Sequence, residues 1–124
     1  MEKRQQRNNQ RTMAMNLEQL TENRVEEALI KLSSTDESHA AWAGQVKYLE
    51  EGLKQAKSHS FLLADGTVAE REAKALSSDK YAQAVLAWTE ALKQFKKIDN
   101  ERNHEMRIID IWRTLSSNRR QGNM

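Results

Sequence analysis

The stretch WAGQVKYLEEGLKQAKSHSFLL, running from Trp42 to Leu63, decides the fold. Its apolar and small side chains Trp42, Val46, Leu49, Leu53, Ala56, Ser60 and Leu63 recur at steps of four and three. Beyond the turn Ala64-Asp65-Gly66, the stretch YAQAVLAWTEALKQF repeats the pattern at Tyr81, Val85, Trp88, Leu92 and Phe95. Such steps average about 3.5 residues, the heptad spacing that keeps one seam of a helix turned toward a partner helix. Two seams on either side of a turn predict an all-α fold built on an antiparallel, coiled-coil-like helical hairpin. A register that sets Leu63 on Tyr81, Ala56 on Trp88, Leu49 on Phe95 and Val46 on Ile98 opposes a very large side chain to a very small one. Interdigitating helices favour that arrangement.

The rest of the chain supports long helices. Among 124 residues there is no proline, where average usage of about 5% would give roughly six, and there are only four glycines. The length suits one domain with a modest core. The absence of cysteine excludes a disulfide framework, a thiolate nucleophile and a zinc-ribbon site. No apolar run approaches the roughly 18 residues a membrane span needs, and the first sixteen residues do not resemble a signal peptide.

Residues 1–15, rich in Gln, Asn and Arg, read as a disordered basic arm. Asn16 is a candidate cap for an additional N-terminal helix over residues 16–32, ending where Ser33-Ser34-Thr35 compete for backbone hydrogen bonds. A second helix then covers 35–63. Thr67-Val68-Ala69-Glu70 has the form of a capping box and opens a short helix at the hairpin tip, 68–76. Ser77-Ser78-Asp79 leads into a last helix, 79–117, followed by a basic C-terminal tail, 118–124. Within that helix a polar stretch from Asp99 to Glu105 gives way to a second apolar patch, Met106, Ile108, Ile109, Ile111, Trp112 and Leu115. This patch needs either the first helix or a second copy of the chain to cover it. Met106, Ile108, Ile109, Trp112 and Leu115 are thus a candidate homodimer surface.

Little in the sequence points to catalysis. Asp36-x-x-His39 and Glu101-x-x-His104 are reminiscent of the Glu-x-x-His half-sites of di-iron bundles, and the register above brings His39 toward His104 and Glu105. A full site needs two true copies and two further inward glutamates, so no metal or other cofactor is expected. No nucleophile elbow and no glycine-rich phosphate loop is present. The serine clusters and the carboxylates Glu50, Glu51, Glu70 and Glu72 read as helix ends and helix surfaces, and the chain is expected not to be an enzyme. Trp42 and Trp88 lie on the seams, where packing is their ordinary work. Trp112 lacks an assigned partner.

Charge is distributed unevenly. Lys3, Arg4, Arg7 and Arg11 against Glu2 give the first fifteen residues a net +3, and Arg113, Arg119 and Arg120 give residues 113–124 another +3. The chain total of +2 leaves −4 for the body between them. The C-terminal arginines complement a helix dipole. The N-terminal set has no such local role, and an arginine-bearing arm is a known device for contacting phosphates.

The segment Asp65-Gly66-Thr67-Val68-Ala69-Glu70-Arg71-Glu72-Ala73-Lys74-Ala75 resembles a recurring stretch of small helical phage and prophage proteins. So does the ending Met106-Arg107-Ile108 through Trp112-Arg113, with Asn118-Arg119-Arg120 beyond it. The resemblance covers roughly residues 40–120 and carries over no catalytic residue. It implies an accessory protein of the early, recombination and replication region of a phage, working in the host bacterial cytoplasm. Two functions follow. In one, the hairpin is an adaptor or inhibitor that binds a phage or host protein of recombination, replication or host defence, with Glu70, Arg71, Glu72 and Lys74 at the tip as the docking surface. In the other, Lys3, Arg4, Arg7, Arg11, Arg113, Arg119 and Arg120 hold DNA or RNA directly, though weakly.

Overall fold

The computed structural model of the chain describes residues 20–122. These form three helices: α1, Glu22–Leu63; α2, Val68–Leu76; and α3, Asp79–Gly122. The fold is all-α, with α1 and α3 antiparallel and α2 at the turn between them. No helix among the described residues is long and apolar enough to cross a membrane.

Two compact units divide the described residues, one holding 20–34 together with 102–122, the other spanning Thr35–Glu101. Both are built on heptad seams. In the Thr35–Glu101 unit the buried and half-buried positions of α1 include the row Thr35, His39, Trp42, Val46, Leu49, Leu53, Ala56 and Ser60. On α3 they include Tyr81, Ala84, Trp88, Ala91, Phe95 and Ile98, at the same alternating spacing. Ala56 and Ala91 are buried, and so is Ala75 of α2. Small side chains at these points let helices approach closely. No large side chain among the described residues is completely buried. Two facing helices leave one flank of each seam residue open to water.

In the other unit Val25, Ala28 and Ile108 are buried. Leu32, Ile109, Trp112 and Leu115 are half-buried. A buried ion pair lies beside them. Arg24 grips Glu105 with both ends of its guanidinium, Nη1 to Oε2 at 2.8 Å and Nη2 to Oε1 at 3.1 Å. Lys31 Nζ lies 3.8 Å from Oε1. Glu105 is only 3% exposed.

The structure departs from the sequence reading in four places. First, no break occurs at Ser33-Ser34-Thr35, and α1 passes through it. Ser34 Oγ donates to the Lys31 carbonyl at 3.0 Å, so its hydroxyl is satisfied within the helix instead of ending it. Thr35 takes a half-buried seam position, and Arg102 Nη1 donates to the Leu32 carbonyl at 2.7 Å. Second, α1 begins at Glu22, where Thr21 Oγ1 accepts the Arg24 amide at 3.3 Å. Asn16, like the basic arm 1–15, lies outside the described residues. Third, α3 continues past Ser117 to Gly122, so Arg119 and Arg120 belong to its last turn, where cations face the carbonyl end of the dipole.

Fourth, the register is different. Phe95 stacks on His39, with ring centroids 5.1 Å apart, instead of meeting the expected Leu49. His39 Nε2 donates to Asp99 Oδ1 at 2.9 Å, not toward His104 or Glu105. Ser78 at the start of α3 hydrogen-bonds Ser60 at 3.1 Å, and Leu63, the expected partner of Tyr81, is exposed. Heptads explain the difference. A slide by a whole repeat keeps apolar rows facing apolar rows, so the choice falls to the polar pairs.

Candidate protein-interaction surface

The tip of the Thr35–Glu101 unit is set by a few local rules. α1 ends at Leu63 and the chain turns at Gly66, whose φ of 115° lies in the region open to glycine. A Cβ there would collide with the Glu70 carboxylate. Thr67 is extended and caps α2, its Oγ1 accepting the Glu70 amide at 3.3 Å. Gly66→Ala is therefore expected to destabilise the tip by about 1–2 kcal/mol through backbone strain. Thermal unfolding followed by circular dichroism reads this directly, and an unchanged midpoint would mean the turn relaxes to another conformation.

Two cations fasten α2 to the end of α1. The Arg71 guanidinium lies 4.4 Å above the Phe61 ring, and its Nε donates to the Phe61 carbonyl at 3.3 Å. Lys74 Nζ donates to the Asp65 carbonyl at 2.8 Å. The Phe61 carbonyl, which also accepts the Ala64 amide at 3.2 Å, lies in the last turn of α1, where the helix dipole favours positive charge, and the Asp65 carbonyl lies just beyond it. Of the four tip residues singled out in the sequence, Arg71 and Lys74 thus work inside the tip. Glu70 lies over the turn, and Glu72 is exposed.

Beside exposed polar residues, the tip offers large apolar side chains to solvent. Leu62 and Leu63 are each 73% exposed, and Val68 and Leu76 are also largely exposed. Among the described residues, four of the ten prominently exposed large apolar side chains therefore fall within residues 62–76. Beside them, Lys54, Lys57, Ser58, Phe61, Leu62 and Glu72 line a groove of about 440 Å³. Sequence reasoning missed this surface because it followed the seam. Phe61 and Leu62 sit off the Ala56–Ser60 row, and large apolar residues off the seam were the available signal.

The other candidate residues are spread differently. Ile108 is buried, and Ile109, Trp112 and Leu115 are half-buried within their own unit; only Met106 of the candidate dimer surface is substantially exposed. Arg113, Arg119 and Arg120 are exposed on α3, while Lys3, Arg4, Arg7 and Arg11 lie outside the described residues. Trp112, Ser116 and Arg119 line a hollow of about 480 Å³ with Leu20, Thr21, Glu22 and Asn23. Among the described residues, no three His, Cys, Asp or Glu side chains converge as metal ligands would. Comparison with protein-family models, with curated proteins and with solved structures returns no match for the chain.

Proposed function

We propose that this chain is a non-enzymatic, protein-binding hairpin, an adaptor or inhibitor whose tip engages another protein. The observation that carries this reading is the exposed apolar tip. Leu62, Leu63, Val68 and Leu76 stand in water on a turn that Arg71, Lys74 and Thr67 hold in one conformation. Burying one such side chain in an interface contributes about 1.5–3 kcal/mol, and a fixed turn lowers the ordering cost of binding. The phage-like segments at 65–75 and 106–120 suggest the setting: a phage accessory protein in the bacterial cytoplasm, with a recombination, replication or host-defence protein as its target.

Pull-down of the tagged chain from bacterial lysate, with and without nuclease, tests this. A protein retained in stoichiometric amount after nuclease, and lost with Leu62→Ser and Leu63→Ser, is the expected result. Retention that vanishes with nuclease would overturn it.

The hollow at Trp112 and Arg119 favours a second reading, in which the chain holds nucleic acid. It places a ring able to stack and a guanidinium at one opening beside the N-terminal end of α1. Glu22 at the same opening opposes a phosphate. Such a complex would weaken steeply as salt rises, whereas an apolar protein interface would hardly respond.

A further inference from the structure

We infer that the groove beside α2 is the docking site for an acidic, amphipathic peptide segment of the partner, with an apolar side chain on Phe61 and Leu62 and a carboxylate against Lys57. This rests on the protein-binding reading above and names the chemistry it recognises. The groove floor is apolar. Arg71 covers one face of the Phe61 ring and, by its hydrogen bond to the Phe61 carbonyl, fixes that stretch of backbone. Leu62 beside it is mostly in solvent.

Charge then selects the occupant. Lys54 and Lys57 stand on one wall and Glu72 lines the groove with them. Lys54 is paired with Glu51 at 3.2 Å. Lys57 is half-buried and has no hydrogen-bond or ion-pair partner among the described residues. A lysine that lines an apolar groove without a counter-ion among the described residues gains from a ligand that brings a carboxylate. Glu72 repels that carboxylate and so directs it to the lysines. Neither end of this chain fits, since residues 1–15 and 113–124 each carry a net +3. A second copy docked face to face through the same groove would bring two lysines for each glutamate, leaving the joined surface net positive. An amphipathic helix, with apolar and acidic side chains spaced one turn apart, meets both requirements.

The test is to pan a display library of random peptides, each about 12 residues long, on the full chain and measure binding of the recovered peptides by fluorescence anisotropy. The expected peptides pair a large apolar residue with Asp or Glu about one helical turn away. Lys57→Glu should weaken them by about tenfold or more, and Leu62→Ser by a similar factor. Both positions face solvent enough to leave the helical circular dichroism unchanged. Recovery of basic peptides, recovery of none, or binding indifferent to both substitutions would each overturn the assignment. So would a dimer in light scattering that Leu62→Ser converts to monomer, because a second copy would then occupy the groove. If the lysate partner survives nuclease, is lost with Leu62→Ser and Leu63→Ser, and still binds the Lys57→Glu variant, the adaptor reading stands and the groove assignment alone fails.

Discussion

Replacing Arg24 with methionine is expected to cost about 2–4 kcal/mol of folding stability, whereas Glu105→Leu should change it by less than about 1 kcal/mol. The asymmetry follows from burial. Glu105 is nearly inaccessible, and Arg24 supplies both of its short hydrogen bonds. Without Arg24 a carboxylate is stranded with only Lys31 at 3.8 Å, beyond hydrogen-bond reach. Without Glu105, Arg24, about a third exposed at 32%, turns to water, and leucine suits a seam.

The same pair makes stability depend on pH. The Arg24 hydrogen bonds hold the Glu105 carboxyl below its ordinary 4.5, against the opposing effect of burial, with the charges of Arg24 and Lys31 adding to the shift. A depressed native value means the contribution is complete above pH 4.5 and disappears as pH falls through the lower native value. Urea unfolding at neutral and at strongly acid pH should therefore show the Arg24→Met deficit narrowing with acid. Equal losses for Arg24→Met and Glu105→Leu, or a deficit independent of pH, would remove the pair from the account of stability.

Trp88→Ala is expected to cost about 3 kcal/mol, at the lower end for a tryptophan because the ring is half-buried. Few large side chains pack deeply here, so a seam tryptophan carries much of the apolar burial. Trp88→Phe should cost much less. The Trp88 indole nitrogen is buried without a hydrogen-bond partner among the described residues, and an unpaired buried donor costs about 1–3 kcal/mol. Phenylalanine keeps most of the contact area and removes that donor. Unfolding midpoints for the two variants decide the matter; a Phe variant as damaged as the Ala variant would mean the N–H is satisfied in solution.

Much of the fold was readable because its causes are local. Heptad spacing marked Trp42 through Leu63 and Tyr81 through Phe95 as seams, and those seam residues are buried or half-buried except Leu63, which is exposed. Thr67 and Gly66 announced the turn and the tip helix through capping and left-handed backbone. The break expected at Ser33-Ser34-Thr35 failed because a hydroxyl can bond within a helix as well as end one. The candidate surface was legible only in part. Arg71 and Lys74 read as part of a docking surface, and their use depends on the carbonyls of Phe61 and Asp65 that folding brings within reach.

The sequence by itself determined which faces of the helices are apolar, that they run antiparallel, and where the chain reverses. Each of these follows from residues within a few turns of one another. Only the tertiary structure decided the register, because a heptad repeat looks the same after every slide of seven residues. Arg24 with Glu105 and His39 with Asp99 are single pairs, widely separated in sequence, and single pairs break that degeneracy. Tertiary structure likewise decided what the tip presents. Arg71 and Lys74 bond to the carbonyls of Phe61 and Asp65, while Leu62, Leu63 and the Phe61 groove face a partner.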